Sequence, residues 1–390
     1  MGPTATPTPN AATRSSAAGQ PSARVPTKRD APATPASKPA GVKRVGIREI
    51  AKRANVSVAT VSMVINANPK ITEATARKVR SVMEETGYRP NRIAQSLSGK
   101  YTRTLGVLLP TLRHALADPY FGEIISGILD KADRFGHKVT IESAKPDFIK
   151  SRKHLELFER RFVDGVLCIG FNDQHVFLKD FAKHGRAMIA VNNVFPDWPV
   201  DHIVCDYAGG AEQVMTYLQQ LGHRNIGLIH GSPTVFTAKA IQDVYRRRMR
   251  DAGLEVEAGW MIDGRFTEEH GAEAARAMLE RHPEVTALFC ANDKMAIGAM
   301  HACIGAGRLV PRDISVVGFD GIAHGAYVNP SLTTVHLPLH EAGAQACERL
   351  INRIRADETG PASATTPPRT LPTHLVLRGS TGLARRDDAA

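Results

Sequence analysis

Two groups of side chains have the types and spacing to do chemistry, and neither suits bond-breaking. The first is Ser57-Val58-Ala59-Thr60 with Ser62-Met63, an uncharged run flanked by Arg48, Lys52, Arg53, Arg77, Lys78 and Arg80. The hydroxyls of Ser57, Thr60 and Ser62 can donate hydrogen bonds to phosphates, and Val58 and Ala59 can meet thymine methyl groups. The flanking cations would neutralise phosphates. The second group follows short apolar runs: Asp118-Pro119-Tyr120-Phe121 after GVLLP, Asn192-Asn193 after AMIAV, and residues 230–235 after IGLI. Asn292-Asp293 follows ALFCA, and Asp320 follows SVVGF. Rings mixed with Asn and Asp suit stacking on, and hydrogen bonding to, a hydroxylated small molecule. Asn and Asp also cap helices, so each of them singly, Asp293 included, has a purely structural reading.

Catalytic constellations are missing. His223, His230, His301 and His336 show no metal-ligand spacing. No nucleophile elbow or phosphate-binding glycine loop stands between a strand and a helix. Neither a metal nor a cofactor is expected, and the chain does not read as an enzyme. The run Arg246-Arg247-Arg248 with Arg250 reads as the solvated face of a helix.

The first group must be positioned by short helices. Ile47, Ile50, Ala51 and Ala54 recur at helical spacing. Asn55-Val56 breaks that pattern, and Ser57 caps a second helix running to about Asn66, with Val61, Val64 and Ile65 inward. Pro69 stops it. Thr72 caps a third helix, with Val79, Val82 and Met83 inward and Gly87 at its end. Helix, tight turn, helix and a supporting helix make a helix-turn-helix, whose second helix enters the major groove by its N-terminal part. Pro90 opens a fourth piece through Leu97, about two turns long and marginal alone in water.

The second group sits at the ends of strands. TLGVLLP, HKVTIES, DGVLCIG, AMIAVNN, HIVCD, NIGLIHG, VTALFCAND and ISVVGFD read as strands. Amphipathic helices separate most of them, as over residues 209–221 and 268–281. That alternation predicts doubly wound parallel sheets, which bind ligands beyond the carboxyl ends of their strands.

Charge separates the two regions. Of the net +11, residues 1–44 carry +6, residues 45–103 carry +7, and the remainder sums to −2. A cationic head on a near-neutral body suits an anionic polymer or surface. Residues 1–44 hold eight Pro, ten Ala and no aromatic residue, too little apolar surface to offset the entropy of ordering. No apolar run approaches a bilayer span or a signal-peptide core. Cys168, Cys205, Cys290, Cys303 and Cys347 are scattered and partly within apolar runs, which predicts buried free thiols in a reducing cytoplasm.

The stretch IREIAKRANVSVATVSMVINANPKITEATARKVRSVMEETGYRPNRIAQSLSGK, Ile47 to Lys100, resembles the DNA-binding head of the LacI/GalR family of bacterial repressors. The resemblance continues through DPYF, NDKMAIGAM, VPRDISVVGFDG and NPSLTTVHLP, covering about residues 45–382. It implies an all-α helix-turn-helix head with a hinge helix, then an α/β body of two doubly wound parallel-sheet lobes, as in periplasmic binding proteins. The expected divisions are a tail (1–44), head (45–88), hinge helix and linker (89–103), effector-binding and dimerisation body (104–380) and flexible C-terminus (381–390).

By resemblance, Val58, Ala59 and Met63 occupy base-reading positions, Met63 replacing a common Arg, while Gly46 replaces a common Thr before the first helix. Leu97 matches a minor-groove wedge that kinks the duplex. Beside it, Asn91, Arg92 and Gln95 could contact backbone or groove edges, and Ala94 allows a partner helix to approach. Tyr120, Phe121, Asn192, Phe266, Asn292 and Asp320 match effector-contacting positions. The family's pocket Arg falls at Ile241, which offers only apolar area, so either the effector is less polar or not an ordinary sugar, or the pocket does not respond to a ligand.

The implied function is a cytoplasmic, homodimeric, sequence-specific transcription regulator. It would repress from double-stranded operator DNA and respond to a small-molecule effector, with no membrane contact. The competing reading is a periplasmic-type solute-binding protein with an accessory DNA-binding head. The absent signal peptide and the head itself count against it.

Overall fold

In the computed structural model, residues 45–65, 68, 70–88, 101–110, 117–172, 174–195, 198, 200–359 and 369–385 are described. The tail (1–44) and the hinge piece with Asn91, Arg92, Ala94 and Leu97 lie outside them. Contacts divide the chain into one unit up to Pro90 and another from Asn91 onward.

The first unit holds α1 (Ile47–Arg53), α2 (Val58–Ile65) and α3 (Glu73–Glu85). Gly46 precedes α1 and supplies no side-chain cap, as its replacement of Thr implies. Asn55 takes the turn at φ +50°, and Ser57 Oγ accepts the Thr60 N–H at 3.0 Å to start α2. Thr72 caps α3 through the Thr75 N–H, and Gly87 at φ +63° ends it. Ile50, Ala51, Ala54, Val61, Val64, Ala76 and Val79 form the sealed centre, ringed by residues that include Ile65, Val82 and Met83. Burying a side chain such as Val61 contributes about 2 kcal/mol, so the inner face of α2 is committed to folding.

The body begins with β1 (Thr104–Leu109), α4 (Pro119–Arg134), β2 (Lys138–Ser143), α5 (Pro146–Lys150), α6 (Lys153–Glu159), β3 (Gly165–Ile169), α7 (Leu178–Lys183), β4 (Met188–Val191) and β5 (Asp201–Cys205). It continues through α8 (Tyr207–Gln220), β6 (Ile226–His230), α9 (Phe236–Asp251), β7 (Met261–Asp263), α10 (Glu268–Arg281), β8 (Ala287–Cys290), α11 (Asp293–Gly305) and β9 (Ser315–Val317). Last come β10 (Thr334–His336), α12 (Leu339–Thr359), β11 (Arg369–Leu371) and β12 (His374–Val376).

Strands β11-β5-β4-β3-β1-β2 pair in parallel as the sheet of the first lobe. Strands β7-β6-β8-β9 do the same in the second. All eight strands expected from the sequence are present. The unforeseen β7, β10, β11 and β12 have three residues each, too few to show a period.

The two lobes are built alike. In the first, Gly127 of α4 faces Gly343 of α12, and a methyl group on Gly127 would stand 1.9 Å from the His340 carbonyl oxygen. In the second, Gly298 of α11 lies against α10, where a methyl group would stand 1.9 Å from the Glu268 carbonyl oxygen. Glycine lets both helix pairs touch backbone to backbone. The chain passes between lobes near Asp206, Pro338 and Pro372. Two of these passages are tied: Asp206 N–H donates to Leu371 O at 2.9 Å, and Thr373 Oγ1 donates to Asp206 O at 3.0 Å.

All five cysteines are buried and free. The flexible terminus expected from residue 381 does not extend over residues 381–384. Thr381 bonds to Tyr217 and Thr333, Gly382 to Ser315 and His223, and Ala384 N–H to Leu221 O. A groove of hydroxyls and a buried histidine, His223, anchors the segment instead.

Candidate functional site

On the head, the core decides which side chains remain for recognition. With Val61 and Val64 buried, α2 turns Val58, Ala59 and Met63 outward, and Ser62 is half-buried. Val58 is 41% and Met63 38% exposed. Ser57 and Thr60 share a hydroxyl–hydroxyl bond of 2.8 Å, so capping uses much of their donor capacity. No charge lies on α2 itself. Arg48, Lys52, Arg77 and Lys78 are exposed and form no ion pair among the described residues, while Arg53 pairs with Glu49 and Arg80 with Glu73. An uncharged ridge among unpaired cations fits the groove of a polyanion.

In the body, the residues at the strand ends do converge. Asp118 caps α4 through the Tyr120 N–H at 3.0 Å, and its other oxygen meets Lys294 Nζ of the second lobe at 2.6 Å. Asn172, beyond β3, donates through Nδ2 to Thr234 Oγ1, beyond β6, at 3.2 Å. The carboxyl ends of the two sheets therefore face each other across a cleft, and the Asp118–Lys294 ion pair and the Asn172–Thr234 hydrogen bond are among the bridges between them.

Tyr120 stands on the first-lobe side. Its hydroxyl oxygen accepts from Asn192 Nδ2 at 3.1 Å and from the Tyr207 hydroxyl at 3.2 Å, and burial raises the pKa of both phenols. Asn192, at φ +52°, also accepts the Cys205 N–H at 2.8 Å, tying the end of β4 to β5. Phe121 is buried in the core, edge-on to Tyr120. Tyr207 stacks on Phe319 at 5.6 Å between centroids.

On the second-lobe side, the Phe266 ring covers Gly231, occupying the space a side chain there would need. Asn292 caps α11 through the Met295 N–H at 2.9 Å and reaches the Phe266 carbonyl at 3.4 Å. Capping is thus the work of Asn292. Asp293, fully buried, accepts instead from the Ile322 N–H at 2.7 Å and from the Thr334 hydroxyl. Burial lifts its carboxyl to about 7 despite those donors. Asp320, at φ +109° and 8% exposed, accepts no side-chain hydrogen bond among the described residues. Burial, with Asp293 and Asp118 nearby, pushes its carboxyl well above the ordinary aspartate value, and Lys294 only partly offsets this. A buried carboxyl without a protein donor keeps hydrogen-bonding capacity for a ligand hydroxyl. Ile241 is 1% exposed, packed in the core.

Sequence reasoning missed Lys294 as a cross-cleft partner and Tyr207 as the third member of the phenol–amide cluster, whereas Thr234 lies in the strand-end run 230–235. Tyr207 lies just beyond HIVCD and was within reach of the strand-end rule. The Asp118–Lys294 pair spans 176 residues, and no local pattern signals it.

The profile described as Bacterial regulatory proteins, lacI family, matches residues 46–91, and the Periplasmic binding protein-like domain matches residues 215–381. Catabolite control protein A of Priestia megaterium is 30% identical over 339 residues, spanning 86% of this chain and 99% of that protein. The HTH-type transcriptional repressor PurR of Pectobacterium carotovorum subsp. carotovorum (strain PC1) is 33% identical over 311 residues, 79% of this chain and 90% of its own. Among solved structures, the lac repressor dimer bound to operator and the anti-inducer ONPF superposes with a TM-score of 0.74 at 27% identity. That match covers 87% of this chain and all of the repressor chain. The transcriptional regulator CelR–cellobiose complex gives a TM-score of 0.66 at 26% identity over 86% of this chain and all of its own.

Proposed function

The chain belongs to the LacI family of bacterial transcription regulators, and on that premise we propose how its own residues carry out operator binding and effector response. Two copies pair, and each places the N-terminal half of α2 in the major groove of one half of a near-palindromic operator. Val58, Ala59 and Met63 face base edges, with Ser57, Thr60 and Ser62 toward the phosphates. Residues 89–103 link head to body. There Leu97 enters the minor groove as a wedge, flanked by Asn91 and Arg92, with Ala94 at the helix–helix approach.

The cleft holds a hydroxylated small molecule between Tyr120 and Phe266, with Asp320 accepting from a ligand hydroxyl. Asn192 and Asn292 shape the two walls, and Phe121 backs Tyr120 from the core. With Ile241 buried and apolar, the ligand needs no guanidinium partner, which favours one less polar than an ordinary sugar. Binding shifts the lobes relative to each other, and through the hinge this changes how well two heads fit one operator.

The protein represses transcription and catalyses nothing. It works in the cytoplasm, where the chromosome is; among the described residues no helix is long and apolar enough to cross a membrane. The observation that carries this reading is the outward, uncharged face of α2 amid unpaired cations. Mapping the chromosomal sites bound by the full chain tests it. The expected result is an inverted repeat upstream of a small set of genes, whose metabolites then change affinity for that repeat. Occupancy that follows base composition alone, with no repeat, would overturn it.

A further inference from the structure

The outward face of α2 carries more than a general fit to DNA. Three apolar side chains, Val58, Ala59 and Met63, are exposed along it, with Ala59 and Met63 one turn apart, and Met63 and Val58 expose 38% and 41% of their surface. Exposed apolar area of this kind is idle in water. In a major groove it has a chemically specific counterpart, the thymine C5-methyl group.

Guanine presents two acceptors there and asks for donors. Methionine has none, and its thioether is only a weak acceptor. Ser57 and Thr60 already bond to each other, and Ser57 Oγ takes the Thr60 N–H, which leaves the pair one free hydroxyl proton. Ser62 is half-buried. The face is therefore poor in donors and rich in methyl and methylene groups, while Arg48, Lys52, Arg77 and Lys78 supply sequence-independent attraction around it.

Resting on the reading of the head as a groove binder, we propose that Met63 with Val58 and Ala59 determines operator choice by packing on thymine methyl groups, so that the base pair facing Met63 in each half-site is A·T. Specificity at that pair comes from apolar contact in place of hydrogen bonding. Because Met63 takes no part in the sealed centre of the head, exchanging it leaves the fold in place.

The test uses the full chain and a pool of random-sequence duplexes, selected through successive rounds of binding. The expected outcome is an inverted repeat with thymine at the same position of both half-sites. Replacing that thymine by deoxyuridine, which removes only the methyl, should weaken binding about fourfold per half-site and roughly fifteenfold for both. In Met63→Ala the deoxyuridine penalty should largely vanish, and Met63→Arg should shift selection at that position toward guanine. An inverted repeat with guanine facing wild-type Met63, or one whose affinity is indifferent to deoxyuridine, overturns the thymine-methyl proposal and leaves the regulator reading intact. Failure to enrich any inverted repeat overturns the regulator reading itself.

Discussion

The outer face of α2 and the cleft of the body use polar and apolar groups in opposite ways. On α2 the inner residues Val61 and Val64 hold the fold, and Val58, Ala59 and Met63 are left over, outside the sealed centre of the head. In the cleft, nearly every candidate is already employed. Asn192 ties β4 to β5, Asn292 caps α11, Asp118 caps α4 and pairs with Lys294, and Tyr120 accepts two hydrogen bonds. Recognition by the head is thus separable from stability. By the proposed function, recognition in the cleft draws on side chains whose bonds also hold the fold, so a ligand that disturbs one disturbs the other. That coupling is what an effector-responsive body requires.

The largest expected effect lies away from both sites. Gly298→Ala or Gly127→Ala drives a methyl group into backbone 1.9 Å away, and either should destabilise the body by roughly 3 kcal/mol in urea unfolding. A near-neutral result would mean that the paired helices of the lobes are not in backbone contact.

Next, Asp118→Asn keeps the cap on α4 but removes the charge facing Lys294, leaving a partly buried ammonium unpaired. A cost of about 2 kcal/mol is expected, and Lys294→Met alongside Asp118→Asn should recover part of it. Simple additivity of the two single changes would show that the cross-cleft pair has no energetic coupling. Asn292→Ala should cost about 1 kcal/mol as a lost cap, with ligand affinity falling in parallel.

A pH experiment sharpens the same contrast. The folded-state value of Asp293 is raised from its ordinary 3.8 to about 7, so the folded protein holds that proton more tightly than the unfolded chain. Stability from this group is therefore greatest below about 4 and is lost as pH rises toward 7. Asp293→Asn removes that slope, so the difference in melting temperature between variant and wild type should move in the variant's favour across the same interval. A constant difference would mean that Asp293 does not titrate there. The smallest effect belongs to the head: Met63→Ala should change stability by no more than about 0.5 kcal/mol.

Much of this was legible in the sequence because it is periodic. The apolar spacing from Ile47 to Met83 places the head helices, and short apolar strands alternating with amphipathic helices give both lobes. The strand-end rule found Tyr120, Asn192, Asn292 and Asp320 together. It could not say which of them the fold would occupy, because capping and ligand binding ask for the same side chains. Three-residue strands such as β10 and β12 lack a period, and their pairing is made by tertiary contact. The anchoring of residues 381–384 depends on Ser315, His223 and Leu221, all far away in sequence.

The central claim is that the head recognises DNA with side chains its core leaves over, whereas the cleft recognises ligand with side chains its fold depends on. Measuring urea unfolding and affinity for the selected inverted repeat in parallel, on Met63→Ala and Val58→Ala against Asn292→Ala and Asp118→Asn, tests it most directly. The head variants should lose operator affinity at unchanged stability, and the cleft variants should lose stability. Head variants that unfold more readily while binding DNA as wild type does would contradict it.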